Sequence, residues 1–355
     1  MKIALITDTH YGVRNDSPVF LENQREFYEK VFFPYLDKNK IDTVIHLGDV
    51  FDRRKYVNFH TLNEVRSFVF DQLEKRGITM HMFVGNHDCY YKNTNAVNSV
   101  ELLLENYECL VVHDDPTEVE FDGVPLMLCP WINNENYKET VKILNKSKAN
   151  VLLGHFEING FMMHRDTAEC KAGMKQDLFK NFNLVFSGHF HEPSTNGHIW
   201  YLGAPSEYTW ADHECKRGFN IFDTETMELT HIRNPHSMFY RIFLDEELDV
   251  KKFDYEQLRH KIVRIIVGSD VDPKTVDTFI SNVNEATPHD LEIIDNSSYH
   301  LEEGVVTDEE AIKNEDTVSI VESYVDSVKE DIALDADKLK GLFKNLYVEA
   351  LAVDE

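Results

Sequence analysis

The sequence predicts an α/β fold of two packed sheets flanked by helices over residues 1 to 235, followed by a smaller α+β unit. Three observations carry this. Five apolar runs of strand length (residues 3–6, 44–47, 80–84, 151–153 and 184–186) each end abruptly in polar side chains, as suits strands buried on both faces. Between the first three lie residues 19–38 and 57–76 with helical periodicity, so strands and helices alternate. A later block reads as antiparallel, with residues 118–121, the turn Asp122-Gly123 and residues 124–129 forming a hairpin.

Taken in order after that hairpin, residues 199–202, 219–222 and 229–232 are expected to continue in the same antiparallel manner, two packed sheets accounting for the chain to 235. The style then changes. Residues 262–267 read as a strand, 275–285 as a helix with Val276, Phe279, Ile280 and Val283 on one face, and 291–294 as a second strand. Together they predict a small βαβ-like capping domain over 240–300. Residues 301–316 are acidic and linker-like. Residues 317–355 carry two amphipathic patterns, one through Val318, Val321, Val325 and Val328, the other through Leu339, Leu342, Phe343 and Leu346. They read as a helical hairpin, a unit too small to stabilise itself without a partner.

A 42% hydrophobic share over 355 residues is ample for a packed core. No apolar run reaches 18 residues and Met1 leads straight into a strand, so a soluble, cytoplasmic protein is expected. The five cysteines, Cys89, Cys109, Cys129, Cys170 and Cys215, form no C-x-x-C pair, which argues against a disulfide framework or a sulfur-ligated metal. The net charge of -27 is uneven, -16 over residues 231–355 against -11 over 1–230. Acidity is therefore concentrated away from the strand ends that hold the candidate chemistry.

Those strand ends bear Asp8 and His10, Asp49, Asn86, His155, and His189 with His191. Oxygen and imidazole donors without thiolate suit manganese, iron or zinc. Glycine directly before a donor in four of the segments lets the backbone turn so that the next side chain enters a shared crevice. Seven donors are too many for one ion and suit two that share a carboxylate, an arrangement able to stabilise both oxygens of an in-line phosphoryl displacement. Consistently, the chain has no G-x-S-x-G elbow, P-loop or G-x-G-x-x-G fingerprint. His46, His60, His81, His164 and His213 fit no motif and read as structural or surface groups.

Asp8-x-His10, Gly48-Asp49-Val50-Phe51-Asp52, Gly85-Asn86-His87-Asp88, Gly154-His155 and Gly188-His189-Phe190-His191 resemble, in order and spacing, the five motifs of calcineurin-like metallophosphoesterases. The Gly-Asp-Val-Phe-Asp wording, with Gly203-Ala204-Pro205 and Arg217-Gly218-Phe219, resembles the SbcD-type recombination and repair nucleases, in the compact size carried by tailed phages. The resemblance is strong to residue 225 and loose beyond it. It implies an αββα sandwich and a DNA nuclease, exonuclease and endonuclease, acting with two divalent ions, foremost manganese. By the same resemblance Asp8, His10, Asp49 and His191 hold one ion, and Asp49, Asn86, His155 and His189 the other. His87 would contact the scissile phosphate and Asp88 would orient its imidazole. Family members with His at the Asp52 position depart from this chain, and a role for that His does not transfer.

The resemblance further implies a homodimer through helices of this domain, for which Phe20, Phe27, Val31, Phe32, Tyr35 and Leu36 offer more aromatic surface than one sheet face needs. It also implies that the C-terminal hairpin docks on the coiled-coil base of an SbcC-like ATPase. Residues 292–337, net -13, would repel DNA and suit a basic protein surface. Arg14, Arg53, Arg54, Lys55, Tyr91 and Lys92 follow the motifs directly and are expected to rim the crevice and meet the DNA backbone. A phosphomonoesterase or cyclic-nucleotide phosphodiesterase on the same fold is the rival enzyme, since the motifs do not encode substrate size. A non-catalytic scaffold would have no reason to keep all seven donors.

Overall fold

The computed structural model describes residues 1–162, 170–171, 173–245 and 247–295. Strands β1 (Lys2–Ile6), β2 (Thr43–His46), β3 (Thr79–Met82) and β4 (Leu110–Val112) run parallel and adjacent in that order. Their near-continuous apolar runs follow from burial on both sides. Ile3 and Leu5 enter the core between the sheets, while Ala4 and Ile6 alternate into the core beneath the helices. The second sheet opens with the expected hairpin of β5 (Thr117–Phe121) and β6 (Val124–Cys129). It continues with β7 (Val151–His155), β8 (Leu184–Gly188), β9 (Ser194–Thr195) and β10 (Ile199–Tyr201) in the order β5-β6-β7-β8-β10-β9.

The expected antiparallel pairing holds for the hairpin and for the runs at 219–222 and 229–232, whereas the run at 199–202 is antiparallel to β9 alone and parallel to β8. The β6-β7, β7-β8 and β8-β10 pairs are parallel, so the second sheet is antiparallel only at its margins. The runs at 219–222 and 229–232 lie in the first sheet. They form β11 (Gly218–Asp223) and β12 (Glu228–Arg233), which return to the first sheet, β11 lying antiparallel beside β1. A local run of strand character does not state whose edge the strand joins.

Ile45, Leu47 and Phe83 of the first sheet face Leu126, Leu128, Leu153 and Phe186 of the second. Helix Tyr137–Lys146 covers the outer face of the second sheet through Leu144. Two long helical stretches cover the first sheet, and each contains a π turn, Tyr28–Phe32 and Arg66–Phe70. In the first, Phe33 N–H bonds back five residues to the Tyr28 carbonyl, just before Pro34, which has no N–H to continue an α ladder. The aromatic surplus of this helix is spent internally: Phe20, Phe27, Phe32 and Leu36 are buried, and Val31 and Tyr35 pack against the same core. The observation offered for a dimer through this helix therefore falls away.

The capping unit contains the expected strand, helix and strand, as β14 (Ile262–Val267), helix Pro273–Glu285 and β15 (Asp290–Asp295). A further strand, β13 (Phe239–Leu244), pairs parallel with β14 and was not expected. Asp272 caps the helix by accepting from Thr275 N–H. Phe239 and Met238 pack with Phe20, Ala204 and Tyr208, which fastens this unit beside the β1 loop. The chain divides into Met1–Ser297 and Ser298–Glu355. The predicted linker at 301–316, the hairpin at 317–355 and His164 lie outside the described residues.

Candidate metal centre

The loops that follow β1 and β2 are zipped together, and this brings their donors to one place. Asp8 N–H donates to the Gly48 carbonyl at 3.0 Å, His10 N–H to Asp49 at 3.2 Å and Tyr11 N–H to Val50 at 2.9 Å. The loops after β3, β7 and β8 close on the same point, the carboxyl ends of the parallel strands. Gly48, with φ of 93°, makes its turn as expected. The other glycines act through space instead. A Cβ on Gly85 would lie 2.1 Å from Asp49 Oδ1, and one on Gly188 2.1 Å from Thr7 Oγ1. The strained turns are taken by the donors themselves, Asp8, His10, Asp49 and His189 all having positive φ.

All seven predicted donors converge. Asp8, His10 and His191 form one group and Asp49, His155 and His189 another, the donor atoms of each within 4.8 Å of one another. His10 Nε2 faces His191 Nε2 at 3.0 Å and lies 3.6 Å from Asp49 Oδ2. The same oxygen is 3.3 Å from His155 Nε2. Asn86 Oδ1 stands between His155 Nε2 at 3.1 Å and His189 Nδ1 at 2.8 Å. His155 Nδ1–H donates to the Leu47 carbonyl at 2.8 Å, which leaves Nε2 as the nitrogen that could ligate a metal.

These residues fit divalent cations. Asp8 and Asp49 are buried carboxylates, and no Lys or Arg among the described residues is paired with either. Burial opposes protonation of His10, but Asp52, Asp49 and Asp8 outweigh it and raise its pKa to about 9. Burial likewise opposes protonation of His155, yet Asp49 and Asp8 raise it to about 9. The carboxylates thus draw onto the imidazoles the positive charge that a bound cation would supply. His10 Nδ1, 3.5 Å from Asp52 Oδ1, is buried without a well-formed hydrogen bond.

His87 sits between the groups. Its N–H donates to Asp49 Oδ1 at 2.8 Å, its Nδ1–H to the Asp52 carbonyl at 2.6 Å, and its ring meets His10 edge-on at 4.8 Å. Asp88 does not orient that imidazole. Its carboxylate accepts from the N–H groups of Val50, Phe51 and Gly85 at 2.9, 3.2 and 2.9 Å and from Ser99 Oγ at 3.3 Å. It therefore braces the β2 loop against the β3 loop, and burial, aided by Asp49, raises its pKa to about 6.

Supporting residues outside the five donor motifs surround the site. Buried His46 accepts from Gly48 N–H through Nδ1 and donates through Nε2 to Thr9 Oγ1, holding the Gly48 turn. Tyr208 OH reaches the Asp8 and Thr9 carbonyls at 2.9 and 2.8 Å. Arg217 bonds the His191 carbonyl and pairs with Asp212 at 2.6 Å. Trp131 lies beside His189 and His155. Its signal in the sequence was positional, since it follows a strand end as the donors do.

The predicted rim residues differ in availability. Arg14 is exposed and donates to the Tyr208 carbonyl at 2.8 Å. Arg53 is engaged by Asp16 at 3.3 Å and by Asn15, and lies over the Tyr56 ring. Arg54 is partly buried, whereas Lys55, Tyr91 and Lys92 are exposed.

Residues 1–193 match the family model described as calcineurin-like phosphoesterase. Over 350 residues, 99% of each chain, the sequence is 33% identical to "Exonuclease subunit 1" of Enterobacteria phage T4. It is 22% identical to one subunit of the nuclease SbcCD of Staphylococcus epidermidis over 75% of this chain and 76% of that one. It is 28% identical to "DNA double-strand break repair protein Mre11" of Thermoplasma acidophilum over 52% of this chain and 50% of that one.

Proposed function

The chain belongs to the calcineurin-like phosphoesterase family, and on that premise we propose that it is a two-metal DNA nuclease of the SbcD type, acting on DNA ends in recombination and repair as exonuclease and endonuclease. The observation that carries this reading is the pair of donor groups placed around Asp49. Asp8, His10, Asp49 and His191 would hold one cation, and Asp49, Asn86, His155 and His189 the other, a donor set that suits manganese, iron or zinc and of which manganese is the ion we propose. When bound, the cations supply Lewis-acid stabilisation of the attacking and leaving oxygens.

The chain's own groups do the rest. Asp49 Oδ2 stands within reach of both donor groups while His87 N–H holds Oδ1, so the bridging carboxylate cannot rotate away. His87 Nδ1–H is committed to the Asp52 carbonyl, and its Nε2 has no partner among the described residues. That nitrogen is placed to hold a proton for the departing oxygen. Leu47, Arg217 and Tyr208 hold His155, His191 and the Asp8 backbone in place by the contacts above.

The test compares manganese-dependent hydrolysis of duplex DNA with that of bis(p-nitrophenyl) phosphate, for wild type and Asp49→Ala. Wild type should cut both and the variant neither, with folding retained by circular dichroism. A protein active on the small diester and inert on DNA would favour the cyclic-nucleotide or monoester reading.

Two partners belong to the same proposal. A second copy would pack on an exposed apolar face formed by Tyr56, Phe59, Val97 and Leu102, near the ends of helices Phe59–Val65 and Ser99–Leu104. The apolar, acidic C-terminal segment would dock on an SbcC-like ATPase. Removal of residues 310–355 should abolish co-purification with the ATPase of the same genome and spare nuclease activity; retained binding counts against the docking.

A further inference from the structure

Trp131 belongs to no donor motif, yet its indole forms part of the metal-site wall. Its ring centroid is 5.2 Å from that of His189, tilted by 40°, and 5.8 Å from that of His155 at 69°. The residue is half-buried while Pro130 and Ile132 on either side are buried, and no described residue accepts from its indole N–H.

The backbone beneath it is fastened more firmly than a surface aromatic requires. Trp131 N–H donates to the Val84 carbonyl at 2.9 Å, which ties the end of β6 to the chain leaving β3. Its own carbonyl accepts from the side-chain amides of Asn95 at 2.9 Å and Asn136 at 3.0 Å. Asn133, itself buried, donates to Asn95 Oδ1 at 2.9 Å and accepts from the N–H groups of Glu135 and Asn136. Three asparagines thus fix one tryptophan relative to the loop that bears Asn86 and His87. A preorganised aromatic loses little freedom when a ligand packs on it.

The nuclease reading, on which this inference rests, places a nucleotide on each side of the scissile phosphate. A partly open indole beside two metal-holding imidazoles offers a stacking surface that any base can use, because every base has a π face. We propose that Trp131 is a substrate-positioning residue that stacks the base next to the scissile phosphate when that nucleotide is unpaired, as in a single strand or a frayed end. Base-paired nucleotides are already stacked and gain less from it, so the residue biases the enzyme toward unpaired termini.

The experiment uses the full chain and its Trp131→Ala and Trp131→Phe variants. Affinity for a single-stranded oligonucleotide is read by anisotropy in EDTA, hydrolysis of bis(p-nitrophenyl) phosphate in manganese, and 2-aminopurine fluorescence with the probe at the terminal nucleotide. Trp131→Ala should weaken single-strand binding about 10- to 100-fold. It should also raise KM for a frayed end more than it lowers kcat, remove the quenching of the probe, and lower hydrolysis of DNA more than that of the small diester, with metal content retained. Trp131→Phe should restore most of the affinity. Equal loss of small-diester and DNA hydrolysis with loss of metal would make the indole a packing wall for His189 and overturn the proposal, as would unchanged strand affinity and quenching in Trp131→Ala. A wild type that binds no DNA would sink the nuclease reading and this inference with it, whereas a wild type that cuts DNA with an indifferent Trp131→Ala sinks this inference alone.

Discussion

Asp8, His10, Asp49 and His189 sit at φ values of 51°, 43°, 55° and 91°, a region that costs a non-glycine residue on the order of 1–3 kcal/mol. Four such residues in one crevice mean that the surrounding hydrogen bonds, from Asp88, His46 and Tyr208 among others, impose the turns. The result is convergence of charge that water would otherwise separate. His87 takes no part in that strain, and its N–H and Nδ1–H are held by Asp49 and the Asp52 carbonyl, so truncating it would remove the proposed proton carrier and leave the donors standing. His87→Ala should slow turnover by about 10²–10⁴-fold while both metal equivalents remain, as read by metal analysis of the purified variant. Loss of one equivalent would make His87 a ligand instead, an arrangement its distance to His10 and Asp49 also allows. The seven donors were legible because each follows a strand-length apolar run at its polar end. Asp88, His46 and Tyr208 were misjudged or passed over because their work is done on backbone groups far away in sequence, which no local pattern encodes.

At the level of strands, local apolar runs identified β1, β2, β3, β7 and β8, whose neighbours are parallel except for β11 beside β1 and whose burial is two-sided. The destinations of β11 and β12 were not legible, since a local run joins whichever edge the topology leaves open, here that of β1 for β11 and that of β11 for β12. One pair of elements has a pH dependence built in. His81 of β3 and His113, just beyond β4, stack at 5.3 Å with Nδ1 and Nε2 3.0 Å apart, and His81 also meets Phe121 of the second sheet edge-on at 4.9 Å. Burial, with His113 adding to it, lowers His81 to about 4, and burial lowers His113 as well. Both rings are neutral in the fold and titrate nearer 6.5 in the unfolded chain. The unfolded state therefore binds more protons below that value, and the stability that is complete above pH 6.5 is lost as pH falls toward 4. Urea midpoints at pH 7.0, 5.5 and 4.5 should fall in the wild type and fall less steeply in His81→Phe. Equal slopes would show that this pair is protonated without cost to the fold.

At the scale of the molecule, two features of the surface call for partners. The net charge of -27 would oppose a polyanionic substrate if it were spread evenly, but residues 231–355 carry -16 of it and the donor loops all lie before residue 192. The other feature is apolar. Phe59 is 87% exposed, Leu102 67% and Tyr56 62%, around a groove of 320 Å³ that Arg54, Lys55 and Val97 also line. Contiguous apolar surface of this kind is uncommon on a monomer and marks an interaction site. The same face on a second copy offers an apolar match, and a patch that pairs with itself yields a closed dimer. The helices concerned belong to the phosphoesterase domain, so the proposed dimer would use this face rather than the helix over 18–39. Because Phe59 and Leu102 are exposed, Phe59→Glu with Leu102→Glu disturbs no core and sets like charges against each other across the pairing. Sedimentation equilibrium at micromolar concentration should show a dimeric wild type and a monomeric double variant, with hydrolysis of bis(p-nitrophenyl) phosphate the same in both because each crevice is built from one chain. A wild type that stays monomeric with and without DNA would assign the patch to another partner.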